Sequence, residues 1–418
     1  MQKASLKANK EHKEVLLLSP TGSGKTLAFL LPLLEKLNAK SEDVQAIIIV
    51  PSRELAIQIE TVFNTFKTDF VISAFYGGQV MKSDINQLVK KPAIVVGTPG
   101  RLIDHIDRQT FNTNNITTLI LDEFDKSLEL GFHDEMSYIV RKLEAINHKI
   151  FTSATQGVKI PDFVPLNDLF KISFGKDAFE SKLKVKLVQS EEKDKLNCVE
   201  NLVKTIGNEQ IILFSNHRES SERIHEHLLN QGIFCVVFHG GMEQKDRELA
   251  MNKFKSKSTQ VLIATDLAAR GLDIPEIEHV IHYHLPHKHE EFIHRNGRTA
   301  RMEATGSSYI IQYKEEQLPP YIKLEEVIDF DVYQNAELPK APLFTTIFIG
   351  GGKKAKINKI DIVGFLSKKG ELSRDELGLV IVKDNVSYAA VSSEKVEILL
   401  EKISGEKIKG KKLKFGRA

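Results

Sequence analysis

The octet SPTGSGKT, residues 19–26, follows the apolar run VLLLS and opens the helical pattern TLAFLLPLLEKL. A strand, a Gly-rich turn and a helix N-terminus in that order build an anion cradle, because backbone N–H groups of turn and helix converge on one place. Gly22 and Gly24 let the backbone approach phosphate oxygens, with Thr21 and Ser23 in the same cradle. Lys25 brings a positive charge to the β- and γ-phosphates, and the Thr26 hydroxyl can coordinate Mg²⁺. Ser19 takes the place of the first glycine of the general pattern and is small enough for the turn. Such a cradle requires a carboxylate partner, and TLILDEFD (118–125) supplies one. Asp122 stands at a strand end, placed to hold Mg²⁺ through water, and Glu123 is placed to orient an attacking water. The chemistry implied is hydrolysis of a nucleoside triphosphate.

Short β-branched runs recur along the chain, each followed by a polar turn and a helical pattern. AIIIV (46–50), AIVVGT (93–98) and TLILD (118–122) are examples from the first half, and IILFS (211–215), VLIAT (261–265) and HVIHYH (279–284) from the second. Runs of this length without strict alternation predict strands buried on both faces of a parallel sheet, with helices such as Arg53–Asn64 and Ser220–Gln231 between them. The rhythm occurs twice and then breaks after Tyr313. The pieces TTIFIG, IDIVGFLSKKG, LGLVIV, VSYAAV, SEKVEILLEKI and KKLKFGRA then follow a strand-helix-strand-strand-helix-strand order. The expected fold class is α/β: two tandem parallel-sheet domains at 1–176 and 183–330, joined through GKDAFESKL (175–183), and a small α+β domain like an RNA-recognition module at 343–418.

Charge supports that division. Of 58 Lys/Arg and 56 Asp/Glu, residues 342–418 hold 16 and 9, so a basic appendage follows a mildly acidic body, the balance expected of a polyanion-binding module. The longest apolar run, LAFLLPLL, is far too short to span a bilayer, and the first fourteen residues have no apolar core of a secretion signal. Two cysteines, Cys198 and Cys235, do not make a disulfide framework and suit a reducing cytoplasm.

Seven strings appear in the order of the DEAD-box RNA helicases: PSRELA (51–56), GG (77–78), TPGR (98–101), DEFD (122–125), SAT (153–155), ATDLAARGLD (264–273) and HRNGRTAR (294–301). The chain resembles that family over nearly its whole length, and the resemblance implies two RecA-like domains, ATP and Mg²⁺ as cofactors, and RNA-stimulated ATP hydrolysis. It further implies that Asp125 bridges to Ser153 and Thr155, with His294 and Arg295 in the same coupling machinery. Arg298 and Arg301 resemble arginine fingers for the γ-phosphate, and Asp273 would contact the ribose. With fingers and cradle on different domains, hydrolysis would require a closure that RNA promotes. Arg53, Gly78, Thr98, Arg101, Arg247 and Thr265 match positions that grip the RNA backbone, contacts that are blind to sequence. Two departures stand out. Phe124 replaces the alanine that names the family, and Asn296 replaces an apolar residue in HRNGR; both spare the charged groups, so ATPase chemistry is expected to survive.

Residues 345–418 resemble the C-terminal RNA-binding domain of DbpA-type DEAD-box helicases, through IFIGGGKKAKINKIDIVGFL, VSYAAV and EKIKGKKLKF. That implies recognition of a large-subunit ribosomal RNA hairpin, with action on adjacent duplex in pre-ribosomal particles during ribosome assembly. Lys353, Lys354, Lys411 and Lys412 would neutralise phosphates, and Tyr388 would stack a base or pack in the core. Alternatives are a general helicase of mRNA turnover or cold adaptation, and an RNA-binding clamp with little turnover. A cytoplasmic monomer without membrane contact is expected.

The family also carries an adenine-reading glutamine upstream of the cradle, and Gln2 lies 23 residues before Lys25. An amide can pair with adenine's N6 donor and N7 acceptor. No aromatic residue precedes Gln2 to stack the base, and the expectation is a chain that starts inside this motif, with the helix that would brace Gln2 absent.

Overall fold

The computed structural model describes residues 1–19, 23–154, 159–174, 183–266, 277–297, 299, 306–334 and 336–418. The chain divides into two compact units, Met1–Ser181 with Arg270–Asp273, and Lys182–Ala269 with Ile274–Ala418.

The first unit is built on a parallel sheet of β1 (Glu14–Leu18), β2 (Ala46–Ile49), β3 (Ile72–Phe75), β4 (Ile94–Gly97), β5 (Thr118–Leu121), β6 (His148–Ser153) and β7 (Leu169–Ser173), in the order β3-β4-β2-β5-β6-β1-β7. Its helices are α1 (Gln2–Glu11), α2 (Lys25–Lys36), α3 (Arg53–Asn64), α4 (Met81–Leu88), α5 (Pro99–Asp107), α6 (Phe124–Glu129) and α7 (His133–Lys142). Two apolar layers cover the two faces of the sheet, as its buried strands require: Val15, Leu17, Phe29 and Ile48 lie in one, and Leu16, Ile47, Phe124 and Phe151 in the other. The edge strand β7 lies beyond the six runs the sequence offers.

The second unit repeats the plan with β8 (Leu183–Ser190), β9 (Ile211–Ser215), β10 (Cys235–Phe238), β11 (Val261–Thr265), β12 (His279–His282), β13 (Gly306–Tyr313) and the short β14 (Ile328–Asp329), ordered β10-β11-β9-β12-β13-β8-β14 and parallel. Its helices are α8 (Leu196–Ile206), α9 (Arg218–Asn230), α10 (Gln244–Lys255) and α11 (His289–Asn296). The C-terminal part of this unit is an antiparallel sheet, ordered β16-β17-β15-β20, of β15 (Phe344–Ile349), β16 (Leu377–Val382), β17 (Ser387–Ser392) and β20 (Phe415–Arg417). Helices α12 (Lys359–Lys368) and α13 (Val396–Ile403) cover one face through Ile362, Leu366, Val396 and Leu399. The run KKLKFGRA divides: a small hairpin, β18 (Lys407–Ile408) with β19 (Lys411–Lys412), precedes β20. Among the described residues no helix is long and apolar enough to cross a membrane.

Candidate functional site

Strand order decides what can meet. β1, β5 and β6 lie side by side, so the chain leaving their C-terminal ends brings Ser19, Asp122 and Ser153 together; β2, β3 and β4 are also adjacent, which brings together Arg53, Gly77–Gly78 and Thr98–Arg101. Loops at the C-terminal ends of parallel strands are where open α/β sheets bind ligands.

In the first cluster, Lys25 is the first residue of α2, and its buried ammonium donates to the Ser19 carbonyl at 2.7 Å. The Ser19 N–H donates to the Ser153 carbonyl at 3.1 Å, and the Ser19 hydroxyl to that of Ser23 at 2.7 Å. Thr26 follows in the first turn of α2, while Thr21 and Gly22 lie outside the described residues. Gly24 has φ +89°, which favours glycine, and a Cβ there would come 2.4 Å from the Gln2 amide nitrogen and displace that side chain. That amide donates to the Gly24 carbonyl at 3.4 Å. The expectation that Gln2 lacks a bracing helix is corrected: Gln2 begins α1, which packs on α2, and the Ser5 hydroxyl donates to the Ala28 carbonyl at 2.6 Å.

Asp122 is buried at the end of β5, and burial together with the Glu123 charge pushes its carboxyl up to about 7, against the opposing pull of Thr152 and Lys25. Thr152 is a residue of this cluster that the motifs alone did not single out. Its hydroxyl donates to the Asp122 carboxylate and accepts the Glu123 N–H at 3.1 Å. The available signal was its place on β6, one residue before SAT and beside the strand that carries Asp122. Glu123 has φ +48° at the start of α6, a left-handed backbone that L-residues adopt at a cost. The Asp122 carboxylate and the Thr26 hydroxyl are hard oxygen donors of the kind that suits Mg²⁺. Asp125 and Ser153 are buried where α6 packs on β6; Thr155 lies outside the described residues. Phe124 is fully buried, edge-on to Phe151 at 6.1 Å, in the apolar layer, so the enlarged side chain fills the core.

In the second cluster the Arg53 guanidinium lies over the two glycines: a Cβ on Gly78, whose φ is +90°, would come within 2.7 Å of it. Thr98 immediately precedes α5, with its side chain making no capping bond to the helix. Arg101 is engaged inside the protein. It donates to Asp84 at 2.8 Å, to Asp104 at 3.4 Å and to the Gln79 carbonyl at 3.1 Å, which ties the glycine loop to α5.

In the second unit, Arg247 on α10 is buried with its guanidinium 5.0 Å from the Phe238 ring, and Thr265 ends β11. His294 and Arg295 lie in the last turn of α11. Arg295 is buried and grips Asp266 with two bonds, Nε to Oδ1 at 2.6 Å and Nη2 to Oδ2 at 2.5 Å. Asp273, Arg298 and Arg301 lie outside the described residues. At the C-terminal sheet, Lys353 and Lys354 follow β15 while Lys411 and Lys412 form β19. The Lys411 ammonium donates to the Ala355 carbonyl at 2.8 Å, which joins the two segments into one exposed basic edge. Tyr388 is on β17 opposite Phe348, but its face is not an open platform. Burial, and then Glu248 and Asp246 of α10, raise its hydroxyl pKa. Thr346 bonds Ser256 and Ser258 at 3.0 and 2.8 Å, and Lys383 pairs with Glu248 at 3.1 Å.

Comparison with known proteins agrees with this geometry. The DEAD/DEAH box helicase family matches residues 1–163, the helicase conserved C-terminal domain 194–303, and the DbpA RNA binding domain 346–417. The chain is 31% identical to the ATP-dependent RNA helicase DbpA of Bacillus subtilis, over 100% of this chain and 94% of that protein. It is 30% identical to DbpA of Escherichia coli over 98% and 92%. Among solved structures it is similar to Mss116p bound to ssRNA and AMP-PNP, with 25% identity, TM-score 0.66, and coverage of 77% of this chain and 72% of that one. Dbp5 of S. cerevisiae bound to RNA and ADP BeF3 gives 25% identity and TM-score 0.65 over 75% and 83%.

Proposed function

The chain belongs to the DEAD-box ATP-dependent RNA helicases, and from that premise we propose that it couples ATP hydrolysis to local unwinding of large-subunit ribosomal RNA during ribosome assembly. The observation that carries the ribosomal reading is the match of residues 346–417 to the DbpA RNA binding domain, together with the basic edge that Lys353, Lys354, Lys411 and Lys412 make there. A pre-ribosomal partner, a monomeric state and a cytoplasmic location belong to the same proposal.

In this reading Lys25 neutralises the β- and γ-phosphates, and Glu123 orients the water that attacks the γ-phosphorus. Thr152 holds the Asp122 carboxylate, to which its hydroxyl donates, and the Glu123 backbone, whose N–H its oxygen accepts. Asp122, through water, and Thr26 would hold Mg²⁺, which supplies charge neutralisation of the phosphoryl oxygens when bound. Gln2, in contact with Gly24, reads the adenine edge. Asp273 is assigned to the ribose, and Arg298 and Arg301 to γ-phosphate charge. Arg53, Gly78, Thr98, Arg101, Arg247 and Thr265 hold RNA sugar and phosphate, and Asp125, Ser153, Thr155, His294 and Arg295 couple that grip to the nucleotide.

RNA-dependent phosphate release tests the proposal, with Lys25→Ala and Glu123→Gln as inactive controls. The full chain is expected to respond selectively to a ribosomal RNA hairpin with its adjacent duplex. Removal of residues 342–418 should abolish that selectivity and leave a general RNA-stimulated ATPase. Equal selectivity in the truncated chain would refute the tether, and release no higher than in the controls would leave a clamp without turnover.

A further inference from the structure

Asn296 stands at the end of α11, two residues after His294, where an apolar side chain is expected of the family, and it is 1% exposed. A buried amide in place of an aliphatic group costs stability unless it is bonded. Its Oδ1 accepts from the Ser308 hydroxyl at 2.8 Å and lies 3.0 Å from His282 Nε2, and both partners are fully buried. His282 and Ser308 come from β12 and β13, and the His282 Nε2 is also 3.1 Å from the Ser308 oxygen.

The other imidazole nitrogen, Nδ1, faces Arg295 Nη1 at 3.5 Å. A guanidinium offers only donors, so Nδ1 is the lone-pair nitrogen and Nε2 carries the hydrogen. That assignment requires an acceptor at Nε2, and Asn296 Oδ1 is the acceptor. An aliphatic side chain at 296 would take away the nearer acceptor and leave the imidazole N–H only the Ser308 oxygen at 3.1 Å, itself robbed of the group it donates to. Burial beside the Arg295 charge lowers the His282 pKa to about 3, which keeps the ring neutral. Arg295 in turn holds Asp266 bidentately, Asn216 Oδ1 at 2.8 Å and the His284 carbonyl at 2.5 Å.

We propose that Asn296, His282 and Ser308 form a buried positioning relay that fixes Arg295 on Asp266. Asp266 begins the segment leading to Asp273, and Arg295 the segment leading to Arg298. The relay therefore anchors the residue just after β11 to the last turn of α11, the two points from which the sequence continues to Asp273 and to Arg298. The inference rests on the proposed ATPase reading for its catalytic consequence.

The test compares the parent with Asn296→Leu, His282→Gln and the triple replacement His282→Leu, Asn296→Leu, Ser308→Ala. Removing all members of a polar set together can be nearly neutral for stability, whereas removing one orphans the others. The triple variant is therefore expected to melt within about 3 °C of the parent, while its RNA-saturated kcat falls about tenfold, the equivalent of one lost hydrogen bond to a charged group. Asn296→Leu alone should lose both melting temperature and kcat. His282→Gln, whose amide can accept from Arg295 and donate to Asn296, should keep kcat within about threefold. Parental kcat in the triple variant, or a His282→Gln loss as large as the triple's, would overturn the relay. An inactive parent would instead overturn the ATPase reading, while the melting data would still report the relay's packing.

Discussion

Thr152 carries two bonds at the carboxylate pair, and both have consequences for catalysis. Without its hydroxyl, Asp122 stays buried with one donor fewer, a deficit of about 1–3 kcal/mol. The Glu123 backbone, at φ +48°, bears a conformational cost of about 1–2 kcal/mol, which the bond from its N–H to Thr152 helps to offset, along with the bonds its carbonyl accepts from Lys126 and Ser127. Thr152→Val preserves shape and removes both bonds. RNA-saturated kcat should fall about 10–100-fold, with Thr152→Ser close to the parent; a fully active valine variant would take Thr152 out of the site. Gly24 is the second decisive residue. Gly24→Ala meets both a positive φ and the Gln2 amide at 2.4 Å, so ATP affinity should drop at least about tenfold in nucleotide titrations. Gln2→Ala makes room without adding strain, and should chiefly erode the preference for ATP over GTP. If Gln2→Ala left that preference unchanged, Gln2 would not be the adenine reader.

At the scale of elements, α1 is tethered to the sheet by groups that acid can disturb. His148 on β6 bonds Asn9 at 3.0 Å, and burial, with Lys36 nearby, lowers its pKa to about 4. The folded state thus holds this imidazole neutral where the unfolded chain, near 6.5, would take up a proton. The unfolded state binds more protons between those values, so stability is intact above about pH 6.5 and declines as pH falls toward 4, by at most about 1.4 kcal/mol per pH unit for this one group. Urea midpoints across pH 7.5 to 5 should show the decline, and His148→Gln should make it shallower while His282, also held neutral by burial, keeps its share; an unchanged slope would place the acid sensitivity elsewhere. The helices and buried strands were the most legible elements. Ser52 caps Arg53–Asn64, and Leu55, Ala56, Ile59 and Phe63 repeat at helical spacing. β7 was illegible because LFKIS is an edge strand with mixed exposure and so lacks a continuous apolar run. The strand order was also illegible, since similar apolar runs fit several orders. The contact of Thr152 with Asp122, and that of Asn296 with His282, depend on that order and could not be read from spacing.

At the scale of the whole molecule, the charge asymmetry of the sequence becomes a located surface. The excess of Lys/Arg after residue 342 gathers, in part, where Lys353, Lys354, Lys409 and Lys411 line the turn after β15 and the hairpin β18–β19, with Lys409 also paired to Asp361 at 2.7 Å. Tyr388 is placed differently, on a sheet face turned toward α10 with Asp246 and Glu248 beside it. A nucleotide stacked on that ring would bring its phosphate near two carboxylates, a repulsion that the lysine edge does not impose. The two surfaces therefore make separable predictions for binding of a ribosomal RNA hairpin. Lys353→Ala with Lys411→Ala should weaken binding and reduce the slope of log K against log salt by about 0.7–0.9 per lost phosphate contact. Tyr388→Leu should alter affinity by less than about threefold and leave the salt slope intact, because base stacking, not charge, is what that ring could offer. A larger loss from Tyr388→Leu than from the lysine pair would show that the sheet face, uncovered in the RNA complex, is the principal contact surface.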